Sequence, residues 1–339
     1  MVLDLHDAEY ISWQKYYESP EIMVRKGDIV FAQRGTLGKS AFIVNDIGPA
    51  TINPSLVLIN KIKCDNEYLS YWLQCDKIVE YICSINSQTS IPMITQNQIE
   101  HIPVVLSRIK AEQQAIAEAL GDIDGLIATL NKKIAKKRLI KQGAMSQLLT
   151  GKKRLPGFSG PWMERKLGAI SHIKTGSCNG DQAVDNGKYP FFVRSQKVYA
   201  IDSYSYDGEA ILVPGEGGIG SIFHYINGKF DYHQRVYKIS DFADNVCGKY
   251  IFFYMSRYFG EYALSLTVKA TVDSLRLPTF EEFVICMPLN IEEQQAIATI
   301  LNDMDKEIDD LEAQRDKYRL LKSGMMQKLL TGQIRLKIK

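Results

Sequence analysis

Residues 112–117 read Glu-Gln-Gln-Ala-Ile-Ala, and residues 293–298 repeat the same six residues 181 positions later. The match continues without a gap for more than forty residues and includes Leu-Leu-Thr-Gly at both 148–151 and 329–332. Two similar segments separated by dissimilar stretches indicate a chain built as an internal repeat. A molecule of this kind usually reads a target that itself comes in two halves.

Both copies of the repeat are predicted to be long helices. Their apolar residues step alternately by four and three positions, which is the spacing of a seam that packs on a partner helix. These seam residues are Ile116, Leu120, Ile123, Ile127, Leu130 and Ile134 in the first copy, and Ile297, Leu301, Met304, Ile308 and Leu311 in the second. No proline interrupts 112–150 or 292–331, and Gly151 and Gly332 suit helix C-termini. A helix of ~38 residues would be ~57 Å long.

Each predicted helix is acidic early and basic late. In the first copy, Glu118, Asp122 and Asp124 precede Lys132, Lys133, Lys136, Lys137, Arg138 and Lys141; in the second, Asp303, Asp305, Glu307, Asp309, Asp310 and Glu312 precede Arg315, Lys317, Arg319 and Lys322. An antiparallel pair would place each acidic half along a basic half, so we favour antiparallel intramolecular pairing. The alternative is that this order only complements each helix dipole, and the two interpretations are compatible.

The stretches before and between the helices are predicted to be compact α+β domains. Short β-rich runs bounded by Gly and Pro occur at Ile29–Ala32, Ser40–Val44, Leu56–Ile59, Tyr189–Val193, Ala210–Val213 and Val236–Ile239. Leu69–Ile82 and Gly248–Leu266 have the pattern of amphipathic helices. The predicted fold class is therefore α+β, with two small globular domains separated by two long helices that form an antiparallel coiled coil, a pseudo-two-fold repeat.

The two globular stretches also resemble each other faintly. Gly27–Phe31 is similar to Gly208–Leu212, and both runs are followed by further glycines. About 25 residues at the front of the second stretch have no counterpart in the first. Either the chain starts late, or the first domain is a shortened version of the second.

Composition places the chain among ordinary globular proteins, with 45% hydrophobic and 24% charged residues. The net charge of +2 argues neither for nor against a nucleic-acid partner. Six cysteines form no CxxC pair and no zinc spacing, which fits reduced thiols in the cytoplasm. We expect no membrane segment, because no stretch is long and apolar enough, and no signal peptide, because the N-terminus is acidic.

Motifs that would indicate an enzyme are weak in this sequence. Gly35–Ser40 resembles the end of a phosphate-binding loop, but Gln33 stands where that loop needs a glycine. The GxGxxG pattern at Gly215–Gly220 is not followed by the long helix that dinucleotide binding requires. The five histidines show no metal spacing. We therefore expect no catalytic residue, no cofactor and no bound metal.

The Glu-Gln-Gln-Ala-Ile-Ala helix that ends in Leu-Leu-Thr-Gly, repeated after each variable domain, resembles the specificity subunit of type I restriction–modification enzymes. The Tyr-Pro-Phe-Phe-Val-Arg run at 189–194 adds to the resemblance, which extends from Val24 to Leu336. It implies target recognition domains at 1–106 and 161–288, the first shortened at its N-terminus, and conserved spacer helices at 107–160 and 289–339.

The same resemblance implies a non-catalytic DNA-binding subunit. Each recognition domain would read one half of an asymmetric, interrupted site on double-stranded DNA. The helices would dock modification (methyltransferase) subunits, two in number, and a restriction and motor subunit would join through that complex. The missing front of the first domain departs from the family pattern. The alternative is therefore a coiled-coil scaffold or truncated regulator that no longer reads DNA.

Candidate DNA-binding residues are polar or basic side chains in predicted loops, because such groups contact base edges and phosphates. In the second domain they are Lys174, Thr175, Ser177, Asn179, Arg194, Ser195, Gln196, Lys197, His233, Arg235 and Lys269. In the first domain they are Gln33, Arg34, Lys39, Gln88 and Thr89. Any single one is more often a solvated surface residue than a base contact, so the hypothesis concerns the set.

Overall fold

The computed structural model describes residues 5–6, 8–35, 38–85, 93–266 and 274–337. The chain divides into two compact units, which are described one at a time. The first unit comprises residues 1–133 together with 311–339, and the second comprises residues 134–310.

The first unit is built around a small antiparallel sheet. Among its described residues, β1 (Ile29–Ala32), β2 (Ser40–Phe42) and β3 (Leu56–Ile59) pair in the order β2-β1-β3. The short helices of this unit are α1 (Trp13–Glu18), α2 (Asn66–Leu73), α3 (Asp76–Ile85) and α4 (Gln96–Glu100). Ile29 and Phe31 of β1 share a buried cluster with residues of α2 and α3. The sheet therefore presents one face to helices.

The single helix predicted at Leu69–Ile82 is wrong, because α2 and α3 are separate helices. The side-chain amide of Gln74 donates to the carbonyl of Ser70 at 2.9 Å, while the Gln74 backbone N–H donates to Tyr71 at 3.1 Å. The side chain thus satisfies the carbonyl that the next turn of helix would have used, and α2 ends there. The end of α2 thus depends on a single polar side chain, and the spacing of apolar residues carries no information about it.

The second unit carries a larger sheet. The strands in its described part are β4 (Trp162–Lys166), β5 (His172–Thr175), β6 (Tyr189–Phe192), β7 (Val198–Ile201), β8 (Tyr206–Pro214), β9 (His224–Tyr232), β10 (Val236–Ser240) and β11 (Val284–Pro288). Six of these strands pair in the order β5-β10-β8-β9-β6-β7, and a separate pair joins β11 to β4. Its short and medium helices are α6 (Leu167–Ile170), α7 (Gly248–Leu266) and α8 (Leu277–Glu281). Among the described strands of this sheet, β6 pairs with β9 in parallel, and the other neighbouring strands pair antiparallel.

The central strand β8 is buried on both faces. Ile211 and Val213 belong to the cluster that includes α7, whereas Ala210 and Leu212 belong to a second cluster with Phe230. Alternate residues of a strand point to opposite faces, so β8 connects two apolar cores. This explains why residues 210–214, the second half of β8, form a continuous apolar run.

Each of the two sheets contains three strands that pair in an equivalent way. In the first unit Ile29 of β1 faces Ile59 of β3, and in the second Ile211 of β8 faces Ile239 of β10. The order β2-β1-β3 therefore matches β9-β8-β10. In the described parts of the two units, β5, β6 and β7 extend the second sheet alone.

Two long helices complete both units: α5 (Lys110–Leu148), of 39 residues, and α9 (Ile291–Met325), of 35 residues. The start of α5 packs with the end of α9 in the first unit, and the end of α5 packs with the start of α9 in the second. The helices are therefore antiparallel, and the predicted fold class is confirmed. Seam residues such as Leu120, Leu130, Leu301 and Ile308 are buried, as the periodicity predicted.

Ion pairs join the basic half of each helix to the acidic half of the other. In the second unit Lys141 pairs with Asp305, and in the first unit Lys322 pairs with Asp124 at 2.7 Å. These two pairs are equivalent, because Lys322 follows Lys141 and Asp305 follows Asp124 by 181 positions. The charge order therefore serves the antiparallel pairing.

A second type of ion pair involves buried carboxylates at the helix starts. Glu293 is fully buried and accepts from the Arg154 guanidinium at 2.6 and 2.7 Å. Glu112, with a side chain 2% exposed, accepts from Arg335 at 2.7 and 2.5 Å. We call these two pairs the clamps, because each arginine follows the C-terminus of one long helix and forms an ion pair with a glutamate at the start of the other.

Glycines and glutamines of the repeat support the clamps. Gly151 and Gly332 follow the helices with φ of 67° and 74°, a left-handed backbone that favours glycine and turns the chain towards each clamp. Gln113 donates to the carbonyl of Ser107 at 2.7 Å, and Gln294 donates equivalently to Pro288 at 2.8 Å. The Glu-Gln pair of the repeated motif thus has the same structural role in both units.

Breaking one clamp should destabilise the protein more than removing an exposed ion pair. Arg154→Ala leaves the Glu293 carboxylate buried without its partner, so we expect the thermal midpoint to fall by more than about 5 °C. The double variant Arg154→Ala/Glu293→Gln should recover part of this loss, because the buried charge is then removed. The thermal midpoints of both variants would be measured by circular dichroism. Lys306→Ala, which removes the exposed pair with Asp303, is the control, and an equal shift for both variants would contradict the clamp.

The clamp between Glu112 and Arg335 should make the stability of the protein depend on pH in the acid range. Hydrogen bonds from Arg335, and then from Ser107, lower the pKa of the Glu112 carboxyl to about 2. An unfolded glutamate titrates near ~4.3, so the stabilisation is present above that pH and is lost as the pH falls towards 2. The stability difference between the wild type and Glu112→Gln should therefore shrink over this range, as measured by urea midpoints. A difference that stays constant, or that matches the exposed control Glu118→Gln, would count against it.

Candidate nucleic-acid interface

Several loops of the second unit meet on one surface. The His233 backbone N–H donates to the Phe192 carbonyl at 2.9 Å, and Gln234 N–H donates to the Cys178 carbonyl at 2.9 Å. The segment after β5 is thereby held beside the turn between β9 and β10 and beside the end of β6. We call residues 176–179, 193–197, 215–218 and 233–235 the loop cluster.

Glu216 organises the charge of the loop cluster. Its carboxylate accepts from Arg235 at 2.7 Å and from Arg194 at 3.3 Å. Both arginines are exposed, whereas Glu216 is half-buried. One carboxylate shared by two guanidiniums leaves a net positive charge and several N–H donors facing solvent. Such pre-positioned guanidiniums suit base edges and phosphates.

Amides and hydroxyls surround the arginines. Gln234 donates from its side chain to the Asn179 side-chain oxygen at 2.7 Å. The Ser195 hydroxyl donates to the Lys197 carbonyl at 3.0 Å, which shapes the loop after β6. Gln196 and Lys197 are exposed at the tip of that loop. The loop cluster therefore offers amide, guanidinium and ammonium groups to one ligand surface.

The structure brings together most of the candidates predicted in the second domain. The loop cluster contains Ser177, Asn179, Arg194, Ser195, Gln196, Lys197, His233 and Arg235. Lys174 and Thr175 are outside the loop cluster, at the end of β5 that leads into it, where Lys174 faces Lys238 of β10 in register. Lys269 lies outside the described residues. All of these remain predictions as DNA contacts.

His233 is a buried member of the loop cluster. Its Nδ1 accepts from the Arg235 backbone N–H at 2.9 Å, which holds the turn that carries Arg235. Burial lowers the pKa of His233, and the positive charges of Arg194 and Arg235 lower it further. The imidazole is therefore neutral near pH 7 and positions the backbone instead of adding charge.

Two candidates of the first unit, Gln33 and Arg34, line an open groove of about 950 Å³. The Gln33 side chain donates to the Pro54 carbonyl at 2.7 Å, and the Arg34 Nε donates to the Met93 sulfur at 3.2 Å. Arg34 and Lys39 are exposed, whereas Gln33 is half-buried. Gln88 and Thr89 lie outside the described residues. Arg25 and Arg34 are both exposed and both line the groove, so the described part of the first unit places two guanidiniums there.

Arg34 occupies the position that Glu216 has in the second unit. Arg34 forms an isolated β-bridge with Met93, and Glu216 forms the equivalent bridge with Ser274. The same scaffold position thus carries a positive charge in one unit and a negative charge in the other. The two candidate surfaces therefore differ in chemistry although their frameworks match.

Sequence reasoning missed two features of these surfaces. Glu216 was overlooked, and the only local signal was an acidic residue within a glycine run. In α1, the exposed rings of Trp13 and Tyr17 stack with centroids 6.0 Å apart. Gln14-Lys15 and Tyr17 match Gln196-Lys197 and Tyr199 at a spacing of 182, a signal that was available in the sequence.

The described ranges show no cluster of three or more His, Cys, Asp and Glu side chains that would hold a metal ion. Burial, followed by a hydrogen bond to Asp231, raises the pKa of the Cys178 thiol to about 11, so this cysteine in the loop cluster is protonated at neutral pH. Within the same described ranges, the helices lack the length and apolar character needed to cross a bilayer.

The family is shown by sequence comparison. Residues 7–137 and 160–318 match the family model of the type I restriction modification DNA specificity domain. The chain belongs to this family. It is a DNA specificity subunit of a type I restriction–modification system, a non-catalytic component of a complex that assembles with DNA.

Curated relatives agree with the family. The chain is 26% identical over 350 residues to the type I restriction enzyme MjaVIII specificity subunit of Methanocaldococcus jannaschii, covering 94% of this chain and 81% of the relative. It is 26% identical over 391 residues to the putative MjaX specificity subunit of the same organism, covering 99% and 85%. A segment of 78 residues is 37% identical to the EcoDI specificity subunit of Escherichia coli, covering 23% of this chain and 17% of the relative.

Solved structures share the fold. The S subunit of a type I restriction–modification system from M. genitalium superposes with a TM-score of 0.69 at 15% identity, covering 94% of this chain and 85% of that one. A second chain, from a study of complex assembly and conformational transition of the type I R-M system, gives a TM-score of 0.55 at 16% identity, covering 91% and 82%. At these identities the likeness concerns the fold.

Removing the arginines of the loop cluster should raise the pKa of His233. Arg194→Ala/Arg235→Ala removes two positive charges that disfavour the imidazolium and leaves the negative Glu216 without its partners, so both effects have the same sign. An NMR titration of the His233 ring would detect the shift. Arg257→Ala, on α7, should leave this pKa unchanged, and a wild-type value in the double variant would show that burial alone sets it.

Proposed function

We propose that this specificity subunit reads a bipartite, asymmetric DNA site whose halves are separated by bases that neither domain contacts. The observation that carries the proposal is the contrast between Arg34 and Glu216, which occupy equivalent bridge positions with opposite charge. Matching frameworks with different exposed groups read different sequences, because base edges are distinguished by the placement of donors and acceptors. Half-sites about one helical turn apart, ~34–36 Å, lie on the same side of a duplex.

We assign the second half-site to the loop cluster. Arg194 and Arg235 are held by Glu216 at 3.3 and 2.7 Å, so their guanidiniums lose little freedom on binding. Arginine pairs well with guanine, and amides such as Gln196 pair well with adenine. Lys197 suits a phosphate as a point charge.

We assign the first half-site to the groove that carries Arg34, with Lys39 nearby. The recognition domains of this proposal are residues 1–106 and 161–288, and its spacer helices are 107–160 and 289–339. The smaller sheet of the first unit favours a second candidate for that domain alone, namely that it no longer reads DNA and serves as a scaffold.

We also propose that the long helices dock two modification subunits, with the restriction and motor subunit joining through them. The support is the duplication of the helices, which presents some exposed side chains twice, such as Lys136 and Lys317. A relative in fold comes from a study of complex assembly in the type I system. Because its target is chromosomal or invading DNA, we place the protein in the cytoplasm.

Substitutions in the loop cluster should alter only one half of the methylated site. Arg194→Ala, Gln196→Ala and Lys197→Ala should each relax or weaken the second half, at roughly 1–3 kcal/mol per lost base contact. Arg34→Ala should affect the other half if the first domain reads DNA. Sequencing of methylated sites in cells that express each variant together with the modification subunit would measure this.

The matched control is Lys166→Ala. Lys166 is an exposed cation at the end of β4 in the second unit, and it pairs with Glu282. It should leave both halves unchanged. A continuous palindromic site, or a single substitution that alters both halves alike, would contradict the two-domain proposal. An unaltered first half in Arg34→Ala and Lys39→Ala would favour the scaffold role of the first domain.

A further inference from the structure

One strand pair of the second unit has only one half in the described part of the first unit. In the second unit β4 pairs antiparallel with β11, and Met163 faces Met287. Residues 103–107 of the first unit correspond to residues 284–288, which form β11. No described strand of the first unit runs along 103–107. The first unit thus contains the equivalent of β11 with its outer edge open.

Residues 103–107 are held in the same way as β11. The Tyr68 hydroxyl donates to the Val105 carbonyl at 2.9 Å, and the Tyr250 hydroxyl donates to the equivalent Cys286 carbonyl at 2.8 Å. The helix before each segment also matches, since α4 and α8 have five residues each and begin 181 positions apart. The backbone of 103–107 is therefore already placed where a partner strand would pair with it.

Apolar side chains of this edge are exposed where those of β11 are buried. Val104 and Leu106 are 38% and 43% exposed. Their equivalents Ile285 and Met287 are 0% and 3% exposed. A segment that is buried in one copy of a repeat and exposed in the other indicates a binding surface, because neighbouring exposed apolar groups favour a partner over water.

The two clamps differ in what covers them. In the second unit the Arg154 guanidinium lies 5.6 Å from the centre of the Trp162 ring, and a Cβ added to Gly151 would lie 3.1 Å from that ring. In the first unit a Cβ added to Gly332 would meet no described atom within 4 Å. The Arg335 side chain is 61% exposed, against 27% for Arg154. The surface beside Gly332 and Arg335 is thus open to an aromatic ring.

A second edge of the first unit is open in the same way. In the second unit β10 lies between β8 and β5, whereas the equivalent β3 is the last described strand of its sheet. Residues 56–58 of β3 line the groove described above. In the chain, β5 follows β4 through the short helix α6. The continuous segment 162–175 therefore covers in the second unit both edges that the first unit leaves open.

We propose that the first unit is an acceptor site for a polypeptide segment of the same kind as 162–175, supplied in trans by a partner chain. The first strand of that segment would pair along 103–107 and place an aromatic ring beside Gly332 and Arg335. Its second strand would lie against β3. Backbone pairing at an open edge supplies affinity, and side chains at alternate positions supply specificity. The inference does not depend on whether the first unit reads DNA.

The second unit defines the chemistry of the partner, because 162–175 occupies the equivalent site there. The donor strand begins with an aromatic residue, and apolar residues follow it by five and eight positions, as Leu167 and Ile170 follow Trp162. A second copy of this chain is disfavoured as donor. Releasing its own segment would expose Leu167 and Ile170, which are buried in its second unit, so the exchange gains no apolar burial.

The test uses the full chain and a synthetic peptide of residues 160–176 as the donor segment. Isothermal titration calorimetry should show one peptide bound per chain, and amide hydrogen exchange should slow at 104–107. Leu106→Asp places a charge on the open edge and should weaken binding more than about tenfold. Leu126→Asp, which replaces an exposed leucine on α5 in the same unit, is the matched control and should bind the peptide as the wild type does.

Variants of the peptide test the site without changing the chain. Trp162→Ala or Leu167→Asp in the peptide should each weaken binding more than about tenfold. Lys166→Ala in the peptide should have no effect, because the first unit has His101 at the position of Glu282, the partner of Lys166.

Three results would overturn the inference. The first is no binding of the wild-type peptide, or equal binding by the wild type and Leu106→Asp. The second is slowed exchange confined to β11, which would show that the peptide displaces 162–175 from the second unit. The third is a wild-type chain that dimerises through 103–107, which would make a second copy the donor.

Discussion

The clamps between Glu112 and Arg335 and between Glu293 and Arg154 are the contacts on which the rest of the structure depends. A carboxylate buried at a helix start is stable only when a cation and hydrogen bonds satisfy it. Each cation comes from the chain that follows the other long helix. Each unit therefore contains one end of both long helices, and its clamp joins residues from the two halves of the sequence.

The framework of each unit is distinct from its candidate DNA-binding surface. The strand cores β2-β1-β3 and β9-β8-β10 keep the same pairing, while a position just beyond them differs in charge. Arg34 and Glu216 illustrate the result, since equivalent β-bridges carry opposite charges. Binding groups held by a rigid framework are free to change without loss of the core. A specificity subunit needs this separation of constant and variable parts.

The duplicated helices also explain why so much of the fold was predictable. Because the same segment occurs twice in one chain, the positions that agree between the copies can be identified without any other sequence. The heptad spacing, the charge order and the terminal glycines all predicted the antiparallel pair that the structure shows. Prediction failed where a single side chain competed with the backbone, as Gln74 does between α2 and α3. It also missed the strand β9, whose sequence is mixed in polarity and whose pairing is set by distant neighbours.

The sequence by itself determined the repeat, the long helices, their orientation and most of the residues of the loop cluster. These features follow from the spacing of apolar residues and the order of charged residues, which can be read directly from the chain. Only the tertiary structure showed that His233 is buried, that Glu216 holds both Arg194 and Arg235, and that Lys174 lies in β5, outside the loop cluster. Those facts depend on which loops meet in space. Contacts between segments distant in the chain leave no local pattern, so spacing alone cannot reveal them.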